Sequence, residues 1–487
     1  MGSAKRVDAT ARPANSPSPS VTSKKLVPWL VAVAFLLEQL DTTILNTAVP
    51  AVAHALSVSV LSMKAVLASY TLALAVFIPI SGWMADRFGT RRVFASAIGM
   101  FTLGSLLCGL CTNIHLLVLC RILQGFGGAM MVPVGRLTLV RAFDKSELIR
   151  TMSFVTIPAM VGPMLGPLAG GLIIRYLHWR YIFFVNIPLG IAGLILVYLH
   201  LPDFREEKRR PLDLVGLILF GSGIALLSYV LEVFGEHTLS AAEIVGLLGI
   251  SMALIVAYGM HGTREQFPLL NLKLFSIRTF RVSAAGSFFT RLGIGGVPFL
   301  LPLLYQVGLG YSPVESGLLI MPQAIASMTV KTMMSRLLNR IGYRGVLISN
   351  TVIIGGLLAL FATIGWHTPV WEIVLLAFLY GGFTSVQYTS MNTLVYADIP
   401  DDLASGANSI ASTVQQMSMS FGVAIAGLTT AVFLPASARS ESPVFMRGIH
   451  EAFLALGAFT ALSSVIFGRL TNNDGASVSH HKALHAE

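Results

Sequence analysis

Fourteen apolar stretches of about 20 residues start near residues 27, 62, 93, 115, 151, 181, 212, 243, 282, 315, 346, 372, 407 and 448, joined by short polar loops. Each is long enough to cross a hydrocarbon layer about 30 Å thick, and inside lipid only a helix or a closed barrel satisfies its own backbone. Runs of this length call for helices. The expected fold class is therefore an all-α polytopic membrane protein with 14 transmembrane helices. With 54% hydrophobic and 11% charged residues, the chain holds more apolar surface than a water-soluble core can hide. Its net charge of +10 raises nucleic acid as a partner, but the basic residues are scattered among short loops and form no basic domain. The partner they fit is the lipid bilayer.

Of the 33 Lys and Arg residues, 24 fall on one side of the spans and five (Lys64, Arg175, Arg180, Arg439 and Arg447) on the other, while Arg121, Arg136, Arg291 and Lys331 lie inside spans. The richer side is expected to be cytoplasmic, and an even number of spans puts both termini there. Residues 1–26 form a polar Ser/Pro/Ala tail without the apolar core of a secretory signal. Cys108, Cys111 and Cys120 all sit in apolar stretches, which argues against a disulfide framework. The tail histidines His480, His481 and His485 are read as a solvated end, so no metal site is expected.

The segment Gly82–Arg92, GWMADRFGTRR, returns in weaker form as SRLLNRIGYR over 335–344. At a constant offset of 253 residues, Asp86 maps to Asn339, Arg87 to Arg340, Gly89 to Gly342 and Arg91 to Arg344. The copies follow the second and tenth spans, so six spans belong to each repeat and two are inserted. The expected organisation is a tail (1–26), a six-helix bundle (27–202), a linker with two extra transmembrane helices and an interfacial segment (203–281), a second six-helix bundle (282–470) and a tail (471–487). In the linker, FPLLNLKLFSIRTFR reads as a short helix on the inner membrane surface or as a solvated loop. Duplication of this kind is a signature of secondary transporters, whose substrate path lies between the repeats.

Four motifs carry a resemblance to a known family. GWMADRFGTRR, LCRILQGFGGA (Leu119–Ala129), GPMLGPLAGG (Gly162–Gly171) and LDTTILNTAVP (Leu40–Pro50) resemble signatures of the loop between spans two and three, of span four, of span five and of span one in the major facilitator superfamily. The last is similar to that of its fourteen-span drug:proton antiporters. GGAMMVPVGRLTLV and SMNTLVYADIPDDLAS look like the bacterial MdtD group, a multidrug branch. The loop motif departs from the signature in having Met84 where Leu is usual. The second half matches mainly by topology and by its degenerate loop copy.

Read as physical chemistry, Gly82, Asp86, Arg87, Gly89, Arg91 and Arg92 form a charged cytoplasmic loop, either a topology anchor or a gate whose acid meets a basic partner in one conformation only. Asn339, Arg340, Gly342 and Arg344 are its mates. Gly162, Gly166 and Gly170 share one helix face, with Pro163, Pro167 and Gly171 beside them, a pattern for close helix approach and a hinge or seal. Ionisable groups at membrane depth mark pathways. Asp41 and Arg121 reach a similar depth from opposite sides, as a coupling pair or as a structural salt bridge, with Gln124 one turn from Arg121. Glu38 and Arg291 are 253 residues apart and flank the expected central site, as proton carrier and substrate anchor or as a mutual ion pair. Gln323, Gln387 and Asn392 are candidate cavity contacts, together with Gln415 and Gln416, while Arg136 and Lys331 are expected to snorkel.

Together with the resemblance, these features imply a proton-coupled multidrug exporter working by alternating access in the bacterial inner membrane, monomeric, with a small molecule and protons as partners. Asp41, Glu38 and Arg121 would carry coupling. The alternatives are an exporter of small organic anions such as hydroxy-carboxylates or their metal chelates, anchored by Arg291, and a transporter-like receptor without flux. No cofactor is expected, since a GxxxxGK[ST] phosphate loop is missing, and no nucleophile triad or ligand cluster points to an enzyme.

Overall fold

The computed structural model describes residues 21–143, 145–205, 211–233, 240–400, 403–433, 442–471 and 473–475. Among them every regular element is helical. In chain order these are α1 (Val21–Ala55), α2 (Met63–Phe88), α3 (Thr90–Leu110), α4 (Ile114–Ala142), α5 (Lys145–Tyr176), α6 (Tyr181–Phe184), α7 (Asn186–His200) and α8 (Leu214–Val233). They continue as α9 (Ala241–Arg264), α10 (Arg278–Gly295), α11 (Val297–Leu303), α12 (Pro313–Lys331), α13 (Met334–Phe361), α14 (Val370–Leu394), α15 (Ala404–Phe433) and α16 (Ser442–Phe467).

Polar residues at the loop junctions set where helices begin. Asn113 accepts from the Leu116 amide at the head of α4, and Ser240 and Ser312 form reciprocal capping boxes with Glu243 and Glu315 at the heads of α9 and α12. Gly89 ends α2 at φ 95°, and its mate Gly342 breaks α13 at φ 74°. Side chains rarely adopt either backbone. The duplication is thus written in the backbone as well as in the residues.

Helices α1 to α7 pack largely among themselves, as do α10 to α16. Between them α8 and α9 pair with each other, and α8 leans on α2 and α15. The two sets meet where α2 packs on α15 and α5 on α12. Only 11% of the apolar window of α9 is buried, and Val245, Ile250, Met252 and Val256 on it stand exposed, as a lipid-facing helix requires.

Among the described residues twelve helical stretches are long and apolar enough to cross a membrane. They do not include α5 or α12, so the count falls two short of the fourteen expected. In the linker segment the helix is a single 3-10 turn, Leu272–Ser276, with Leu270 and Leu274 buried against the core beside α10 and α15. Asn271 caps that turn, accepting from the Lys273 amide.

Candidate functional site

The first set of helices encloses a polar network. Asp41 on α1 and Arg121 on α4 form an ion pair of 2.6 Å, each side chain 1% exposed. Gln124, one turn along α4, accepts from Arg121 at 2.7 Å and donates to Asp41 Oδ1 at 2.8 Å. Asn186, the first residue of α7, donates to the same Oδ1 at 2.8 Å, and Ser105 on α3 accepts from both amides. The Tyr70 ring of α2 lies under the guanidinium, 4.2 Å from ring centre to Cζ. Five helices therefore converge on one buried carboxylate. Three donors reach its two oxygens, so protonating Asp41 removes the charge that holds Arg121 and the amides in place.

One step along α1 the character changes. Glu38 is 8% exposed, and its Oε2 is buried with no hydrogen-bond partner among the described residues. It lines a cavity of about 340 Å³ between the two sets of helices. Phe35, Gln39, Gly128 and Arg136 line it from one side, and Asn392, Tyr396, Asn408, Gln415 and Gln416 from the other. Arg136, exposed near the C-terminal end of α4 as a snorkelling residue would be, also borders the cavity, its guanidinium 5.7 Å from the Phe35 ring. Lys331 stands exposed at the end of α12.

Arg291 is not on that wall. It is 2% exposed, bonds Ser287 at 2.9 Å and the cavity residue Asn392 at 3.1 Å, and lies over the Tyr388 ring at 3.9 Å. Among the described residues no carboxylate comes within ion-pair distance of it, so Glu38 and Arg291 do not pair with one another. Gln387 is wholly buried in the seam of α13 and α14, bonded to Asn350 and Thr351, and Gln323 packs under Gly381 of α14. Neither lines this cavity, in contrast to Asn392, Gln415 and Gln416. A membrane helix offers its polar side chains either to a cavity or to a seam, and spacing alone does not say which.

At the outer edge of the first set, Asp86 accepts from Arg141 of α4 at 2.7 Å. Arg87 stacks over Trp83, Arg91 lies near the Tyr198 ring, and the Arg91 amide donates to Asp203 at 3.2 Å. Gly82 has open space around its Cα, and Arg92 is exposed. The mates Asn339 and Arg340 are exposed, and Arg344 is partly buried. The glycines of α5 seat other helices. A Cβ on Gly162, Gly166 or Gly170 would collide with Gln39, Thr43 or Ile44 of α1, and one on Gly171 would lie 2.4 Å from the Pro313 carbonyl oxygen of α12. Pro163 and Pro167 lie between them, and reciprocally a Cβ on Gly317 of α12 would strike the Pro167 carbonyl.

The model of the Major Facilitator Superfamily matches residues 31–423, with a second match over 283–483. The chain belongs to that superfamily. A relative in Escherichia coli (strain K12), named multidrug resistance protein MdtD, is 41% identical over 454 residues, 93% of this chain and 96% of its own length. A protein of the same name in Shigella boydii serotype 18 matches equally. Among solved structures, the POT family transporter PepTSo superposes with a TM-score of 0.67 at 14% identity, covering 91% of this chain and 97% of its own. A D-xylose-proton symporter does so at 0.66 and 15%, covering 92% and 98%. At such identities the likeness shows the fold: this is an all-helical, multi-pass membrane protein with the major facilitator architecture.

Within this superfamily member, Tyr70, Ser105 and Asn186 complete the buried network and were missed by sequence reasoning. Asn186 had a signal. It interrupts the apolar run FFVNIPLG at membrane depth, where an amide needs a partner. Tyr70 and Ser105 carry no such mark. Among the described residues no group of three or more His, Cys, Asp or Glu could hold a metal ion, and the tail histidines lie outside those residues.

Proposed function

We propose that the chain is a proton-coupled multidrug-type exporter of a bacterial cytoplasmic membrane, working by alternating access with both termini cytoplasmic. One observation carries the reading: a buried ion pair, Asp41–Arg121, stands beside a cavity between the two helix sets where Glu38 offers a carboxylate oxygen without a partner. A proton can be accepted at Glu38 directly, whereas at Asp41 it removes the charge around which a network from five helices is built. Protonation thereby gains leverage over packing. The multidrug label comes from the name of the relatives at 41% identity. Counting α5 and α12, of 32 and 19 residues, as spans gives fourteen, two bundles of six and the inserted pair α8 and α9.

In the orientation set by the basic loops, the cavity faces the cytoplasm: Arg136, Tyr396 and Asn408 line it near the cytoplasmic ends of their helices, while Gly171 and Pro313 close the opposite end. Also near that closed end, Gln306 donates to the Thr47 carbonyl across the halves at 2.8 Å. Each proton entering down 100 mV supplies about 2.3 kcal/mol, and no nucleotide is needed. The test is flux in proteoliposomes under an imposed pH gradient. Substrate accumulation that collapses with the gradient is the expected result. Ligand binding without gradient-dependent flux would favour the receptor reading instead.

A further inference from the structure

The cavity carries an acid and a base that form no ion pair with one another. Glu38 Oε2 has no hydrogen-bond partner, and among the described residues Arg136 has neither a hydrogen bond nor a carboxylate within ion-pair distance, its guanidinium lying 5.7 Å from the Phe35 ring centre. Facing helices place the two charges in order. Asp41 meets Arg121, and Gly135 packs against Val31 and Phe35, so α1 and α4 run antiparallel. The Arg136 guanidinium at Phe35 therefore lies about one turn, roughly 5 Å along the axis, from the level of Glu38. The remaining polar wall is uncharged amide and hydroxyl, from Gln39, Asn392, Asn408, Gln415 and Tyr396. Arg291, the other deep cation, is sequestered behind Asn392.

We infer that the transported molecule is a small zwitterion: an ammonium for Glu38, a carboxylate or similar anion for Arg136 about one helical turn away, and an apolar or aromatic body against Phe35. A singly charged cation gives Arg136 no partner in the ligand, and a singly charged anion leaves the buried Glu38 without one. A ligand with both charges satisfies each, with the guanidinium able to hold a carboxylate through two parallel bonds. At about 340 Å³ the cavity is near the small end of the roughly 300–1,000 Å³ typical of small-molecule sites. The inference deepens the exporter reading and rests on it, because the cavity is taken as the site of the transported molecule.

Three probes on one skeleton test it with the purified full chain in detergent: 4-(aminomethyl)benzoate as zwitterion, benzylamine as cation and benzoate as anion, with affinities measured by calorimetry. The zwitterion is expected to bind at least tenfold more tightly than either analogue. Glu38→Gln should reduce it to the affinity of benzoate, and Arg136→Gln to that of benzylamine, while Glu38→Asp and Arg136→Lys, which keep the charges, restore part of the preference and guard against misfolding. Benzylamine binding as well as the zwitterion, with Arg136→Gln without effect, overturns the inference in favour of a cation site. Proton-driven flux of a lipophilic cation with no binding of the zwitterion also overturns it, and leaves the exporter reading standing. Zwitterion binding that needs both residues, without gradient-dependent flux, upholds the ligand class and defeats the exporter reading.

Discussion

Asp41→Asn separates coupling from architecture. The substitution keeps the shape of the side chain and the Oδ1 acceptor used by Gln124 and Asn186, yet it removes the charge that faces Arg121 at 2.6 Å. With both side chains 1% exposed, the orphaned guanidinium keeps only Gln124 and the Tyr70 ring, and breaking a buried pair in this way costs about 3–5 kcal/mol. That is a large share of the about 5–15 kcal/mol typical of whole domains. Arg121→Gln alone should cost a similar amount. The double variant removes both charges and should recover about 2 kcal/mol or more relative to the sum of the singles, the range of coupling measured for contacting residues. Thermal melts of the four purified proteins measure this cycle. In proteoliposomes a gradient of two pH units supplies about 2.7 kcal/mol per proton, enough to hold one exchanged substrate at about a hundredfold ratio. Asp41→Asn should lower that ratio to one while substrate exchange without a gradient persists. A variant that still concentrates substrate takes Asp41 out of the coupling step, and additive melts refute the argument from the ion pair.

Three further outcomes follow from the geometry. Asp86→Asn breaks a partly exposed contact with Arg141, worth up to about 1 kcal/mol, so the ratio of inward- to outward-open protein should shift up to about fivefold with ligand affinity unchanged; thiol labelling on both faces reads the ratio, and an unaltered one leaves Asp86 as a topology anchor. Gly171→Ala forces a methyl to 2.4 Å from the Pro313 carbonyl, a backbone atom that cannot swing aside, so overpacking of about 1–3 kcal/mol should part α5 and α12 and expose a cysteine placed at Ser312; a more stable, unlabelled variant, as helix propensity alone predicts, contradicts it. Asp213, just ahead of α8, is buried, which works to raise its pKa, but bonds from His261 and the Gly216 and Leu269 amides outweigh burial and hold it below the usual carboxylate value. A depressed pKa adds stability above the unfolded value, about 4, and loses it as pH falls through the folded one, so Asp213→Asn should melt lower than the parent at pH 7, and the gap should close as pH falls below the unfolded value and through the folded one.

How much of this was legible beforehand follows the physics of lipid. Long apolar runs declare themselves because nothing else satisfies a backbone in hydrocarbon, and the Gly89 and Gly342 mates declare themselves because both copies need a left-handed backbone. The meeting of Asp41 with Arg121 was legible from depth, since two opposite charges at the same level of a bilayer have strong reason to find each other. Direction around a helix was not. Gln387 and Asn392 are five residues apart on α14, yet one is buried in a seam and the other reaches the cavity. Arg136, near a span end, has the spacing of a snorkelling side chain and is exposed as that predicts, but spacing did not show that it also borders the cavity beside Phe35. Tyr70 and Ser105 are ordinary in composition and become part of the site only through the fold.

The duplication that makes the fold also shows where its chemistry resides. At the offset of 253 residues the helices align closely: 114–142 falls on 367–395, beside α14, and 21–55 on 274–308, which contains α10 and α11. Yet the mates of Asp41, Arg121, Gln124 and Ser105 are Ile294, Val374, Ala377 and Leu358. Two of these, Ile294 and Leu358, are part of the apolar core. The second half therefore keeps the backbone of the first and has shed the polar network, and its deep charge Arg291 is balanced by an aromatic ring, a hydroxyl and an amide rather than by an acid. A charge that rests on neutral partners does not change them when a proton arrives elsewhere. An acid–base pair does, because protonating the acid strands its partner. If protons drive the cycle, the first half is the one they act on, and the second serves as the counter-surface, presenting Asn392, Asn408, Gln415 and Gln416 to whatever Glu38 and Arg136 hold.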